Sequence, residues 1–451
     1  MDQNVDETDA AQARSNNTSN PILSMDIDAE KLKGDAIGST LYSESGLLKT
    51  LIALSKFTAE DWSEQLEEQL CFLWDMTFEE DVMAVLMEHD FINLACHAIR
   101  ITSEPRLVEI LVGILGNMTG RQDVRLSLSQ SSTAELLLSL LSSSDTLTLL
   151  QLVRLFNSCV WHVNKGSRSS DFDEDEHSGA DTEVESWVSL LIDEAPALNE
   201  RLSFILRSST NEELLQSALE LLNNLCCISS KNHYYSEFLS TPVLLIGLTE
   251  ALHQLLNSGD GDTLNMVWEE KMERAAVHWS QTMSTFTLHD RGIDLINEQR
   301  QTVMRSFCCI FDPLGLPENI FPLNSKKLEI LDSILDVLEC FKRKHNYCPP
   351  AILPRLLTVL SLMSPMSDKN GGELSGMEEL ESEDDLEKHA EILTRVFDYC
   401  FSVLCDTETP DFLEAFGDDP IPKVNTLLSN LSKCLGTDIQ KVIKIIQRHL
   451  N

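Results

Sequence analysis

The stretch RLVEILVGILGNMTG, Arg106 to Gly120, decides the fold. Leu107, Ile110, Leu111, Ile114, Leu115 and Met118 recur at i, i+3, i+4, i+7, i+8 and i+11, which lines them along one face of a helix. Gly113 and Gly116 interrupt that helix, and each costs about 1 kcal/mol relative to alanine in a helix interior. Either the helix stops near Gly113, or a neighbour needs the space that the missing side chains leave. The period persists through Met118, so continuation is expected, with two backbones approaching closely at the glycines.

Two further helices share this ending. TLLQLVRLFNSCVWHV runs from Thr148 to Val163 and EELLQSALELLNNLCC from Glu212 to Cys227. The three ends align as Leu115-Gly116-Asn117, Leu155-Phe156-Asn157 and Leu222-Asn223-Asn224. The first two asparagines lie 40 residues apart and the next interval is 67. Setting aside an acidic insertion of about 20 residues brings that interval near the roughly 40 to 47 of armadillo and HEAT repeats. The expected fold is therefore all-α, an armadillo/HEAT-like α-solenoid in which each apolar face is buried on the next unit. Helices near Leu244, Met272, Lys326, Ala351 and Ala390 follow at irregular spacing and read as degenerate repeats. The last, DIQKVIKIIQRHL, puts Ile439, Val442, Ile443, Ile446 and Leu450 on one face, as a closing cap requires.

Composition agrees with a helical array of 451 residues. Aromatics make up 6%, tyrosine occurs five times, and no run of 18 apolar residues suggests a membrane span. The opening MDQNVDETDAAQARSNNTSN lacks the basic and then apolar order of a secretory signal. Twelve cysteines without CxxC spacing indicate reduced, mostly buried thiols in the nucleus or cytosol. Residues 1–33 are expected to be a disordered acidic tail ahead of a repeat domain at 34–451. Acidic insertions are expected at 166–185 and 367–387. Ser170 and Ser382 each have an acid three positions on, as acidophilic kinases prefer.

The net charge of −39 opposes direct nucleic-acid binding and suits a basic protein partner, or simply keeps a leucine-rich surface soluble. Asn117 lies roughly 60 to 80 degrees from the centre of its apolar stripe, at the edge that faces the concave side of such a stack. There an asparagine amide can pair with the main chain of an extended peptide, and Asn157 and Asn224 would continue the ladder. Asn157 sits on the opposite flank of its stripe. The alternative is that each asparagine caps the end of its own helix. A transport receptor for a basic cargo would carry tryptophan one turn before each asparagine, where this chain has Gly113, Val153 and Glu220.

No HExxH, GxSxG, GxGxxG or GxxxxGK[ST] occurs, so neither catalytic residues nor a cofactor are expected. DFDEDEHSGADT, from Asp171, alternates acids like a calcium loop but has Glu176 where glycine is needed and Thr182 where a bidentate glutamate belongs. No metal site is expected. FKRKHNY, Phe341 to Tyr347, is either a short import signal or a set of cations at a helix C-terminus.

Four blocks resemble a known family: GDAIGSTLYS (Gly34 to Ser43), LWDMTFEEDV (Leu73 to Val82), RLVEILVGILGNM (Arg106 to Met118) and WVSLLIDEAPALNERLSFILRSSTN (Trp187 to Asn211). They are similar to the serum amyloid A-like one family, also named for association with synoviocyte proliferation. The resemblance implies an armadillo-like fold, nuclear residence and a part in promoting cell proliferation, with no catalytic residues. Within LWDMTFEEDV, Trp74 and Met76 are expected to pack at a helix end, with Thr77 capping the next helix and Glu80 completing a capping box. An exposed Trp74 anchoring a partner is the functional alternative.

Overall fold

The computed structural model describes residues 35–58, 61–169, 180–230, 233–257, 268–345, 350–364, 366–367, 373–374, 383–434 and 437–450. The expected acidic tail at 1–33 lies outside them, as do Ser170 and Ser382.

The chain opens with a helix pair, α1 (Glu44–Ser55) and α2 (Glu64–Met76). Helical triplets follow. The first is α3 (Glu80–Glu88), α4 (Phe91–Ile101) and α5 (Pro105–Met118), and the second is α6 (Gln122–Leu128), α7 (Ser131–Leu140) and α8 (Thr146–Ser169). Next come α9 (Ala180–Asp193), α10 (Ala195–Ser208) and α11 (Glu212–Cys226), then α12 (Tyr235–Leu239), α13 (Pro242–Asn257) and α14 (Glu270–Phe286). After α15 (Asp290–Glu298) and α16 (Arg300–Leu314), the short α17 (Pro317–Ile320) leads into α18 (Ser325–His345). A 3-10 turn at Pro350–Ile352 replaces the first helix of the next unit, which continues with α19 (Leu353–Met363) and α20 (Glu383–Asp406). The last described unit is α21 (Thr409–Ala415), α22 (Pro420–Leu431) and α23 (Thr437–Leu450).

The third helices stack in order, α2 on α5, α8, α11, α14, α18, α20 and α23, each against the next. Second helices form a parallel layer, from α10 through α13, α16 and α19 to α22. The fold is an armadillo-like α-solenoid. Among the described residues, β pairing is confined to an isolated bridge and two ladders of two residues, such as Ser229–Ser230 with Tyr234 and His233. Among them too, no single helix is long and apolar enough to cross a membrane.

Local chemistry sets the helix starts. Ser63 accepts from the Leu66 amide at 3.3 Å, Asp145 from Thr148 at 2.7 Å, Asn211 from Leu214 at 2.8 Å and Asn324 from Lys327 at 2.9 Å, so these side chains occupy donors that a helix N-terminus leaves open. Proline stands in the first turn of α5, α10, α19 and α22, where its missing N–H costs nothing. Two boundaries differ from expectation. Helix enters the 166–185 insertion from both sides, as α8 reaches Ser169 and α9 begins at Ala180, and α20 begins at Glu383 inside 367–387. Acidic residues are favoured in the first turn of a helix by its dipole, so an acidic sequence alone does not mark a loop.

The later units are also more regular than their spacing suggests. Extra residues fall between helices, around 170–179, 258–267 and 368–382, and leave the stacking order intact. One continuous core runs through the units, with Trp187, Trp279, Phe91, Phe286 and Phe307 among its fully buried side chains. The Trp279 and Phe307 rings meet edge to face at 5.7 Å, joining α14 to α16. Trp279→Ala should therefore lower stability by about 3–5 kcal/mol, read as a lower urea midpoint. Ile421→Ser, at a side chain 55% exposed, should leave the midpoint within about 0.5 kcal/mol of the parent.

Candidate partner-binding face

The α5 helix runs unbroken to Met118, past both glycines. A Cβ at Gly113 would lie 2.1 Å from Trp74 Cζ2, so the notch admits an indole from the preceding third helix. The expected close approach of two backbones is thus replaced by a side chain at Gly113. Gly116 is nearer that expectation, its added Cβ lying 3.7 Å from Leu155 Cβ and 3.9 Å from Leu155 Cα. Trp74 is half-buried and fills the space one turn before Asn117 that a tryptophan at position 113 would occupy.

Thr77 does not cap the following helix. It is the C-cap of α2, with Oγ1 donating to the Trp74 carbonyl at 2.6 Å, and Glu79 precedes α3 without a side-chain cap. A threonine hydroxyl can serve the carbonyls at a helix end as well as the amides of the next start, and here the helix end wins.

The three asparagines share a role that neither sequence reading contained. Asn117 Nδ2 donates to Thr77 Oγ1 at 3.0 Å and to the Trp74 carbonyl at 3.3 Å, bridging α5 to α2. Asn157 Nδ2 donates to the Ser217 carbonyl at 3.0 Å, and Asn224 Nδ2 donates back to Asn157 Oδ1 at 3.2 Å, bridging α8 and α11. Each amide bonds a neighbouring third helix instead of its own helix end. The same logic continues without an asparagine signature: Gln216 Nε2 donates to the Lys271 carbonyl at 2.5 Å, Gln281 Nε2 to Glu329 at 3.1 Å and Ser284 Oγ to Asp336 at 2.6 Å. Asn157 meets Ser217 and, further along both helices, Asn164 Nδ2 donates to the Asn224 carbonyl at 2.8 Å, so α8 and α11 run parallel.

Cations are arranged in the same way. Arg106 reaches Glu67 at 2.9 Å, and its hydrogen bonds to Glu109 and Glu67 raise its pKa. Arg154 pairs with Glu213 at 3.4 Å, Lys271 with Glu212 at 3.2 Å and Arg274 with Glu220 at 3.8 Å. Further along, Arg395 lies among Asp332, Asp336 and Glu339. These partly exposed pairs contribute little stability each, about 0–1 kcal/mol, but they occupy the positive groups of the face.

Two depressions lie side by side on this row. One, of about 370 Å³, is lined by Trp74, Asp75, Phe78, Gly113, Asn117 and Arg154, with Gly116 and Gln151 completing it. The other, of about 390 Å³, spans α8, α11 and α14 and includes Arg154, Asn157, Gln216 and Glu220. Arg154 lines both, with Asn117 in the first and Asn157 in the second. Phe78, 76% exposed, also lines the first, and no periodicity or motif singles that residue out. Gln216 Oε1 and Asn223 Oδ1 are buried without a partner among the described residues. No three His, Cys, Asp or Glu side chains converge as metal ligands among the described residues. Burial pushes up the thiols of Cys96, Cys226 and Cys400, which keeps them protonated.

Comparison with known proteins bears on the half of the chain where the sequence blocks are silent. The family profile of the SAAL1 C-terminal domain matches residues 198–419, from within α10 to the α21–α22 link. Residues 198–419 thus carry the likeness to the SAAL1 C-terminal domain. It is 35% identical over 204 residues to Protein saal1 of Danio rerio, covering 43% of this chain and 39% of that protein. It is 33% identical over 214 residues to Protein SAAL1 of Homo sapiens, covering 44% and 41%. The alignments thus span about two fifths of the length of these curated relatives. Among solved structures, the crystal complex of SYS-1/POP-1 is similar at a TM-score of 0.52 and 12% identity, over 94% of this chain and 67% of that chain.

Two measurements probe this face. Gly113→Ala drives a methyl group into Trp74 and should cost about 1–3 kcal/mol. In a Trp74→Ala background the same change should cost less, so a double-mutant cycle read by thermal unfolding shows coupling. His278, on α14 beside Asn223 Nδ2 at 3.5 Å, is held near a pKa of about 4 by burial and then by Arg274 and Lys326. Its folded-state value is depressed, so its contribution is complete above the unfolded value of about 6.5 and is lost as pH falls towards 4. Urea midpoints measured between pH 7 and 4.5 should fall less steeply for His278→Gln than for the parent, with a residual slope from His253 and His389, which burial also depresses.

Proposed function

We propose that this chain is a non-enzymatic scaffold that holds an extended, basic segment of a protein partner along its row of third helices. One observation carries the reading: the cations of the row are taken up by carboxylates of neighbouring helices, while acids remain in surplus. Glu64, Glu68 and Asp75 on α2 make no ion pair among the described residues, and Arg395 alone faces three carboxylates. A surface left with unpaired acids favours a positive segment and speeds its arrival. SYS-1, a chain of the same fold, occurs in complex with POP-1.

A second reading, an adaptor carrying basic cargo between compartments, draws on Trp74 in the notch before Asn117. The family resemblance supports residence in the nucleus and a part in promoting proliferation as part of this proposal. Arg343 and Lys344, exposed at the end of α18, are the import residues to alter, and a fluorescent fusion of Arg343→Ala/Lys344→Ala should shift towards the cytoplasm.

The scaffold reading is tested by proximity labelling and cross-link mapping in cells. Reversing charge on the row with Glu64→Lys/Glu68→Lys/Asp75→Lys should abolish capture of the principal partner. Asp411→Lys/Glu414→Lys, on the first helix of the last described unit, should not. Retained capture by the row variant, or cross-links confined to other faces, would overturn the assignment.

A further inference from the structure

We infer that the depression at Trp74 receives an arginine side chain of the partner segment, an inference that rests on the third-helix row being the partner face. Gly113 and Gly116 contribute only backbone to its lining, and the Trp74 indole lies over Gly113. Its walls are two aromatic residues of different origin. Trp74 is set against Gly113, and Phe78 follows α2 in the turn that Thr77 closes, with its ring 76% exposed. Rings alone would accept any apolar group, but their π faces also attract a cation.

The polar groups select charge. Asp75 makes no ion pair or hydrogen bond among the described residues and lines the same depression. Asn117 has its amide nitrogen committed to Thr77 and the Trp74 carbonyl, which leaves Oδ1 as its remaining capacity. Arg154, the cation lining this space, is held by Glu213 of α11. Gln151 adds a neutral amide on the α8 side. A ligand carboxylate would meet Asp75 and the Asn117 oxygen, both acceptors. A guanidinium offers a flat face for the indole and a fork of N–H donors for the carboxylate and the amide oxygen. A lysine ammonium offers only a compact point charge.

The test uses the full chain and three fluorescent nonapeptides, each of three repeats: Gly-Arg-Ser, Gly-Lys-Ser or Gly-Glu-Ser. Binding is read by anisotropy at low salt. The arginine peptide should bind tightest, and Asp75→Asn and Phe78→Ser should each weaken it about tenfold. Asp411→Asn, off the row, should leave it unchanged and thereby separates the pocket from the general attraction of an acidic protein. Both tested side chains are exposed, so matching melting temperatures establish that the variants fold. Tighter binding of the lysine peptide, equal binding of the glutamate peptide, or effects at Asp75 and Phe78 no larger than at Asp411 would each overturn the arginine assignment. If peptide cross-links still map to the row in those cases, the pocket falls and the scaffold stands. If none map there, both fall.

Discussion

A helix inside this stack is buried by its own unit and by both neighbours, and what stays open is a narrow polar edge. The polar groups on that edge must find partners within reach, which are the edges of the adjacent third helices. Asn117, Asn157, Gln216 and Gln281 all resolve the constraint in this way, with the amide nitrogen turned sideways to the next helix. Both the register between units and the character of the exposed row follow. The amide donors are used up in holding the helices together, and the Asn157 and Gln281 oxygens accept from Asn224 and Asn223 in the same way.

The fold was largely legible because its signal is one-dimensional. The period of Leu107, Ile110, Ile114 and Met118 announces a buried stripe, and the repetition of that stripe announces a stack. Regularity in the second half was harder to see, since residues inserted between second and third helices stretch the interval without changing which helix meets which. Gly113 was legible only as a vacancy. Its occupant, Trp74, lies thirty-nine positions away (113 − 74 = 39) on another unit, and nothing local pairs the two. Asn117 and Asn157 each line a depression on the row, and each is bonded to a neighbouring third helix. Which half of each amide stays free depends on a neighbour's carbonyl, and no single segment encodes that. Phe78 escaped notice for a related reason: one aromatic residue in a turn has no periodicity, and only the fold places it beside Trp74.

Buried acceptors without partners, Gln216 Oε1 and Asn223 Oδ1, lie on α11 near the middle of the row. Leaving such an oxygen dry costs about 1–3 kcal/mol. Their amide nitrogens are occupied by Lys271 and Gln281, so satisfying one end of each side chain has stranded the other. The joint between α11 and α14 is therefore held by amide bonds of fixed direction, and His278, whose pKa burial lowers, ties the same joint to acidity.

The points at which the chain leaves the stack matter in a different way. Third helix α8 ends at Ser169, whereas third helix α20 begins at Glu383. Because third helices run parallel, those two ends belong to opposite banks of the groove. Every third helix presents its amino end to one margin and its carboxyl end to the other, so the partial charges of the helix ends give the two margins opposite polarity.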